Sequence, residues 1–102
     1  MKRKLLAAAI IMAVSTPAMA FRTFGIPDCG EWVKQQSEAN KAWVLGYLSG
    51  INAAEPSRSD ALSKVSSADQ IFLWMDNYCR ANPLSNADTG AKVLYKELME
   101  KK

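Results

Sequence analysis

Histidine is absent from this chain of 102 residues. Its absence removes Ser-His and Cys-His nucleophile pairs, imidazole metal sites and any imidazole switch near neutral pH. Catalysis would have to rest on carboxylates, lysines or hydroxyls. Also missing are a Walker loop, a dinucleotide-binding glycine fingerprint, a calcium-loop pattern and a Cys-x-x-Cys pair, so phosphate-binding and metal readings have no starting residue. Pairing acidic residues such as Glu31 with Glu38, or Asp60 with Asp69, into a glycosidase-like couple has nothing behind it beyond their presence. The expectation is a protein that is not an enzyme and carries neither cofactor nor metal. Long apolar runs are lacking too: the stretch at 5–14 is too short to span a bilayer.

That stretch follows Lys2, Arg3 and Lys4 and precedes the small-x-small sequence Ala18-Met19-Ala20. Together these are the three parts of a secretory signal peptide over residues 1–20, which places the mature domain, residues 21–102, in the periplasm with no membrane span after cleavage. The signal holds three of the thirteen basic residues and none of the ten acidic ones. Ten of each remain, so the mature side chains balance at zero net charge. The sequence pI near 9.0 belongs mostly to the export signal and is no nucleic-acid footprint.

Cysteine occurs twice, as Cys29 and Cys79, and an even count in an exported chain favours a disulfide over two buried free thiols. Closing a loop of about 50 residues is worth roughly 4 kcal/mol in the chain-entropy model, a large share of the stability of so small a domain.

Every segment with a clear pattern has helical period, so the fold class is all-α: a small four-helix domain with one disulfide, Cys29 joining the first helix to the third. Asp28, with Glu31 three residues on, caps a first helix that runs to about Gln36. The second begins near Ala39 or Asn40 and stops around Ala54, because Glu55 precedes Pro56. It carries no charge at 42–51, which predicts a buried central helix. Its stripe of Ala42, Gly46 and Gly50 predicts close approach of a neighbouring backbone, with Val44, Tyr47, Leu48 and Ile51 filling the other side. The serine-rich segment 56–67 reads as a solvated, mobile connection with room for one helical turn at 60–64.

Ser67 with Gln70 opens the third helix, and Pro83 ends it at or before Asn82. Ile71, Phe72, Trp74, Met75, Tyr78 and Cys79 share an arc of about 160°, with Asp69, Asp76, Asn77 and Arg80 opposite and Leu73 alone among the polar side. Asp76 and Arg80 form an i, i+4 pair. Ser85 with Asp88 starts the fourth helix, whose stripe is Ala87, Ala91, Leu94 and Leu98, with Tyr95 and Met99 at its edge; Gly90 weakens it slightly. Lys96, Lys101 and Lys102 suit the negative end of its dipole.

Aromatic residues are dense: Trp32, Trp43, Tyr47, Phe72, Trp74, Tyr78 and Tyr95. At helical spacing they read first as core. As a binding surface the candidates are Trp43, Tyr47, Ile71, Phe72, Trp74 and Met75, with Trp43 and Trp74 at the stripe edges and nearest to solvent. The partner implied is another protein, not nucleic acid, and monomer and homodimer both stay open.

Tyr78-Cys79-Arg80-Ala81-Asn82-Pro83 resembles the second cysteine segment of the HdeA/HdeB acid-stress chaperones, small periplasmic helical proteins. Asp28-Cys29-Gly30-Glu31-Trp32 is similar to the opening segment of that family. The resemblance implies a chaperone that prevents client aggregation at low pH. Trp43-Val44-Leu45-Gly46-Tyr47-Leu48-Ser49-Gly50 instead resembles the Gly-Tyr-x-x-Gly helix of periplasmic immunity proteins, which implies neutralisation of a type VI secretion amidase effector. That group often has further cysteines, which this chain lacks.

Overall fold

The computed structural model describes residues 22–102, so the signal-peptide reading lies outside the described residues. Four α-helices follow one another: α1 (Cys29–Lys34), α2 (Glu38–Ala53), α3 (Ala68–Ala81) and α4 (Ala87–Glu100), with one 3₁₀ turn (Ala61–Lys64) between α2 and α3. Local chemistry sets each boundary. Asp28 caps α1 as expected, its Oδ1 accepting from Glu31 N at 2.7 Å. The helix ends two residues short of Gln36 because Gln35 is extended and its carbonyl is taken by Asn40 Nδ2. Ser37 Oγ caps α2 by accepting from Asn40 N at 3.1 Å, so that helix starts at Glu38 rather than at Ala39 or Asn40.

Two of the expected capping boxes form differently. Ser67 holds the N-cap position of α3 without a side-chain cap, and Gln70 Oε1 reaches back to Ser66 N at 2.8 Å. At α4 the cap position is Asn86, not Ser85. Ser85 has other work: its carbonyl accepts from Cys29 N at 2.9 Å and its hydroxyl pairs with Tyr78 Oη at 3.1 Å.

The last helix, not the second, organises the packing. α4 packs against α2, α3 and the 3₁₀ turn, while α1 packs on α3. The stripe Ala87, Ala91, Leu94 and Leu98 is buried as expected, together with Gly90 and Tyr95. On α3 the buried line is Ile71, Met75 and Cys79, with Phe72, Trp74 and Tyr78 half-buried beside it. The expectation that α2 is a buried central helix is overturned, because only Val44 and Leu48 are buried in it. Lack of charge is not burial here: Ala, Gly and Ser carry little apolar area, so leaving them in water costs little.

The close-approach glycine is also elsewhere. A Cβ added at Gly46 or Gly50 would meet nothing within 4 Å, whereas at Gly90 it would lie 2.8 Å from Tyr78 Cδ2 and 3.0 Å from Met75 Cε. Gly90 is therefore the point where α4 meets α3.

A neck closes the domain. Cys29 and Cys79 are bonded, with Cα atoms 4.8 Å apart and a separation of 50 residues. Beside them Asp28 and Asn86 form an antiparallel bridge, in which Ala87 N donates to Pro27 O at 2.9 Å. Trp32 is fully buried one turn beyond Cys29 and lies 6.2 Å from the Phe72 ring.

The serine-rich connection does contain its helical turn, and side chains pin it at both ends. Asn52 Nδ2 donates to Asp60 Oδ1 at 2.8 Å and Asn52 Oδ1 accepts from Ala61 N at 3.0 Å. At the far end Lys64 Nζ donates to the carbonyls of Leu98 and Lys101. The connection that reads as solvated therefore buries Ala61.

Two glycine-to-alanine substitutions separate these environments. Gly90→Ala should lower stability by about 1 kcal/mol or more, the overpacking of Tyr78 and Met75 outweighing the gain in helix propensity. Gly46→Ala should raise it by about 0.5–1 kcal/mol, since it adds propensity where nothing is crowded. Thermal melts followed by circular dichroism should show Tm moving in opposite directions.

Candidate functional site

The six residues expected to form a binding surface do not share one. Trp43 and Tyr47 stand together on α2, stacked at 4.9 Å with planes 12° apart. The lead-in crosses this pair: Trp43 Nε1 donates to Phe24 O at 2.8 Å, and Gly25 turns the chain there with φ +72°. That turn favours glycine, because an L side chain rarely adopts this conformation. Phe24 itself is 78% exposed.

On α3 the set divides again. Met75 is fully buried and offers no face in the folded state, while Ile71 is 6% exposed. The reason is the i, i+4, i+8 line through Cys79, which the disulfide turns toward α1. Phe72 is half-buried against Trp32, and Lys41 Nζ lies 5.4 Å from its ring centroid. Trp74 is stacked on Tyr78 at 5.5 Å with planes 8° apart.

Trp74 borders a groove of about 300 Å³ between the 3₁₀ turn, α3 and α4. Its apolar lining is Val65, Ile71, Leu73, Trp74, Leu94 and Leu98, and Lys64, Glu97 and Lys101 stand among its polar lining residues. Of the expected surface set, only Ile71 and Trp74 contribute. Leu73, 62% exposed as expected from its place on the polar side, gains a setting it did not have in the sequence: the groove rim. Leu94 and Leu98 were legible as core, and Val65 carried no signal, since it follows a turn whose docking on α4 depends on Lys64.

Carboxylates occupy the joints between elements. Asp28 caps α1, Glu31 accepts from Asn40 Nδ2, Asp60 accepts from Asn52, and Asp76 accepts from Gln36 Nε2 and from Arg80 Nε. The Asp76–Arg80 pair is thus present, at 3.1 Å. Glu55 links the connection to α4, its Oε2 accepting from Ser57 N at 3.1 Å and its Oε1 from Tyr95 Oη at 3.2 Å. The bonds from Ser57 hold the Glu55 carboxyl below its usual range, against an opposing effect of desolvation. Burial pushes the Tyr95 phenol up, and Glu55 adds to that.

Among the described residues, no group of three or more acidic or cysteine side chains is placed to hold a metal. No helix among them is long and apolar enough to cross a membrane. The chain matches no protein-family model, no curated protein and no solved structure.

Acid should weaken the Glu55 joint in a definite direction. Because its folded pKa lies below the unfolded value of about 4.3, the joint stabilises the fold above that value and the contribution is lost as pH falls through the folded pKa. Glu55→Gln should therefore be less stable than the parent at neutral pH, and the gap should narrow below about pH 4. Urea unfolding across that pH range checks it; a constant gap would sever the joint from acid sensitivity.

Proposed function

We propose that this chain is an exported, periplasmic protein that binds other proteins, acting as an acid-stress chaperone of the HdeA/HdeB type. The observation that carries the reading is the contrast between its two kinds of cross-link. The joints at Asp28, Glu31, Glu55, Asp60 and Asp76 depend on ionised or hydrogen-bond-accepting carboxylates, while Cys29–Cys79 is covalent. Strong acid removes the charge of carboxylates as a class, whereas it leaves a disulfide intact.

Acid also unbalances the charge. With the ten carboxylates of 21–102 neutral, ten basic side chains remain unopposed, and self-repulsion of that size disfavours the compact state. The disulfide keeps the loosened chain from opening fully. Ile71 and Met75, buried in the folded state, and the half-buried Phe72 then become available to denatured clients beside the groove already open at Leu73 and Trp74. The chain's lack of histidine removes imidazole-based catalysis.

At about pH 2 to 3, where nearly all carboxylates are protonated, the oxidised mature protein should suppress light scattering by an unrelated aggregating periplasmic protein. The Cys29→Ser, Cys79→Ser variant should do so less well. Unchanged client scattering over a range of molar excess would reject the chaperone reading, even if the protein itself loosened.

One observation favours a second reading, an immunity protein for a type VI secretion amidase. The Gly-Tyr-x-x-Gly segment lies on α2, and Gly46 and Gly50 look onto open space, so a partner could approach the helix backbone there. On that reading the protein forms a tight one-to-one complex with a cell-wall amidase, and Gly46→Arg abolishes it without lowering the melt. Size-exclusion chromatography of the mixture distinguishes the two, since a chaperone forms no such neutral-pH complex.

A further inference from the structure

The groove beside Trp74 ends at an ammonium group that the fold already holds in place. Lys64 Nζ donates to Leu98 O at 2.7 Å and to Lys101 O at 2.6 Å. An ammonium has three donors, so one remains for a ligand. Lys101 lines the same groove, and Glu97 is the one acidic side chain in its lining. Two cations against one carboxylate leave the polar lining net positive.

We propose that this groove binds a medium-chain carboxylate, its alkyl chain against Leu73, Trp74, Leu94 and Leu98 and its carboxylate at Lys64 and Lys101. Three features match that chemistry. About 300 Å³ is at the small end of ligand sites and suits a short apolar chain better than a globular partner. The apolar walls come from two helices and a turn, so they exist before the ligand arrives. The ammonium is ordered by two backbone carbonyls, so binding an anion does not have to immobilise a free lysine side chain, whose rotamer freedom would otherwise be lost. A charge-assisted bond from a fixed donor then selects for the sign of the head group. This site does not depend on the chaperone reading, since it is formed in the folded state.

The test is calorimetric titration of the oxidised protein near pH 7, without any client, using sodium decanoate below its micelle-forming concentration. The expected result is saturable one-to-one binding, with amide shifts at Leu73, Trp74, Leu94 and Leu98 in ¹⁵N spectra. Decanol and decyltrimethylammonium, which keep the chain but remove or invert the charge, should bind at least about tenfold more weakly. Lys64→Met should weaken decanoate by about tenfold. Because Lys64 also holds the end of α4, Leu73→Asp provides the second variant: it alters an exposed rim position, leaves Lys64 in place and should abolish binding with an unchanged melt. Equal binding of the three amphiphiles, shifts centred on Trp43 instead, or decanoate affinity unchanged in Leu73→Asp would each overturn the proposal. Client-aggregation assays at low pH read the chaperone function separately, so the two can fail independently.

Discussion

A helix of six residues has no stability of its own in water, where isolated helices shorter than about a dozen residues are marginal. The first helix of this protein has that length, and it exists because Cys29, its first residue, is bonded to Cys79 in the last turns of α3. The bond does more than shorten the unfolded chain. It fixes the one orientation of α1 in which Trp32 enters the core against Phe72. The backbone pairs on either side, Cys29 to Ser85 and Ala87 to Pro27, set the rotation that a single covalent link would leave free. Core, neck and first helix are thus one constraint stated three ways.

From that neck the remaining helices take their places around α4. Gly90 lies against Tyr78 and Met75 of α3 with no room for a Cβ, while Leu94 and Leu98, one and two turns further on, line the groove with Leu73 and Trp74. A crowded contact and an open groove are thus both made by the one helix. α2 is strapped on from outside by Val44 and Leu48 and by the Glu55–Tyr95 bond, which leaves its small-residue face in solvent.

Much of this was legible in the residues. Helical period placed four helices and Asp28 was correctly read as the cap of the first, Pro56 and Pro83 bounded two of them, and the stripes through Met75 and Leu94 named core residues correctly. Three things were not legible. Ser85 has the composition of a cap, but its carbonyl and hydroxyl are claimed by Cys29 and Tyr78, partners 56 and seven residues away in sequence. The uncharged face of α2 matches a buried helix in pattern and differs from one only in side-chain volume, which hydropathy patterning weighs poorly. Gly90 reads as a weak spot in a helix until Tyr78 is known to lie across it. For the candidate site, Trp74 was marked by its place at a stripe edge, whereas Lys64 and Val65 acquire a role only through contacts with α4 more than thirty residues on.

The dependence on α4 bears on how the chain is made. Synthesis is vectorial, and the order of the elements runs α1 to α4. Cys79 emerges before α4, so the two thiols meet while Leu94 and Leu98, against which the helices settle, have yet to arrive. A chain held at that stage lacks the side of the core that Leu94 and Leu98 supply. Oxidation can therefore precede packing, and the cross-link, formed early, shortens the search that the last helix must then complete. A late element that contributes six buried residues to the core couples the packing of every earlier helix it touches to the last one made.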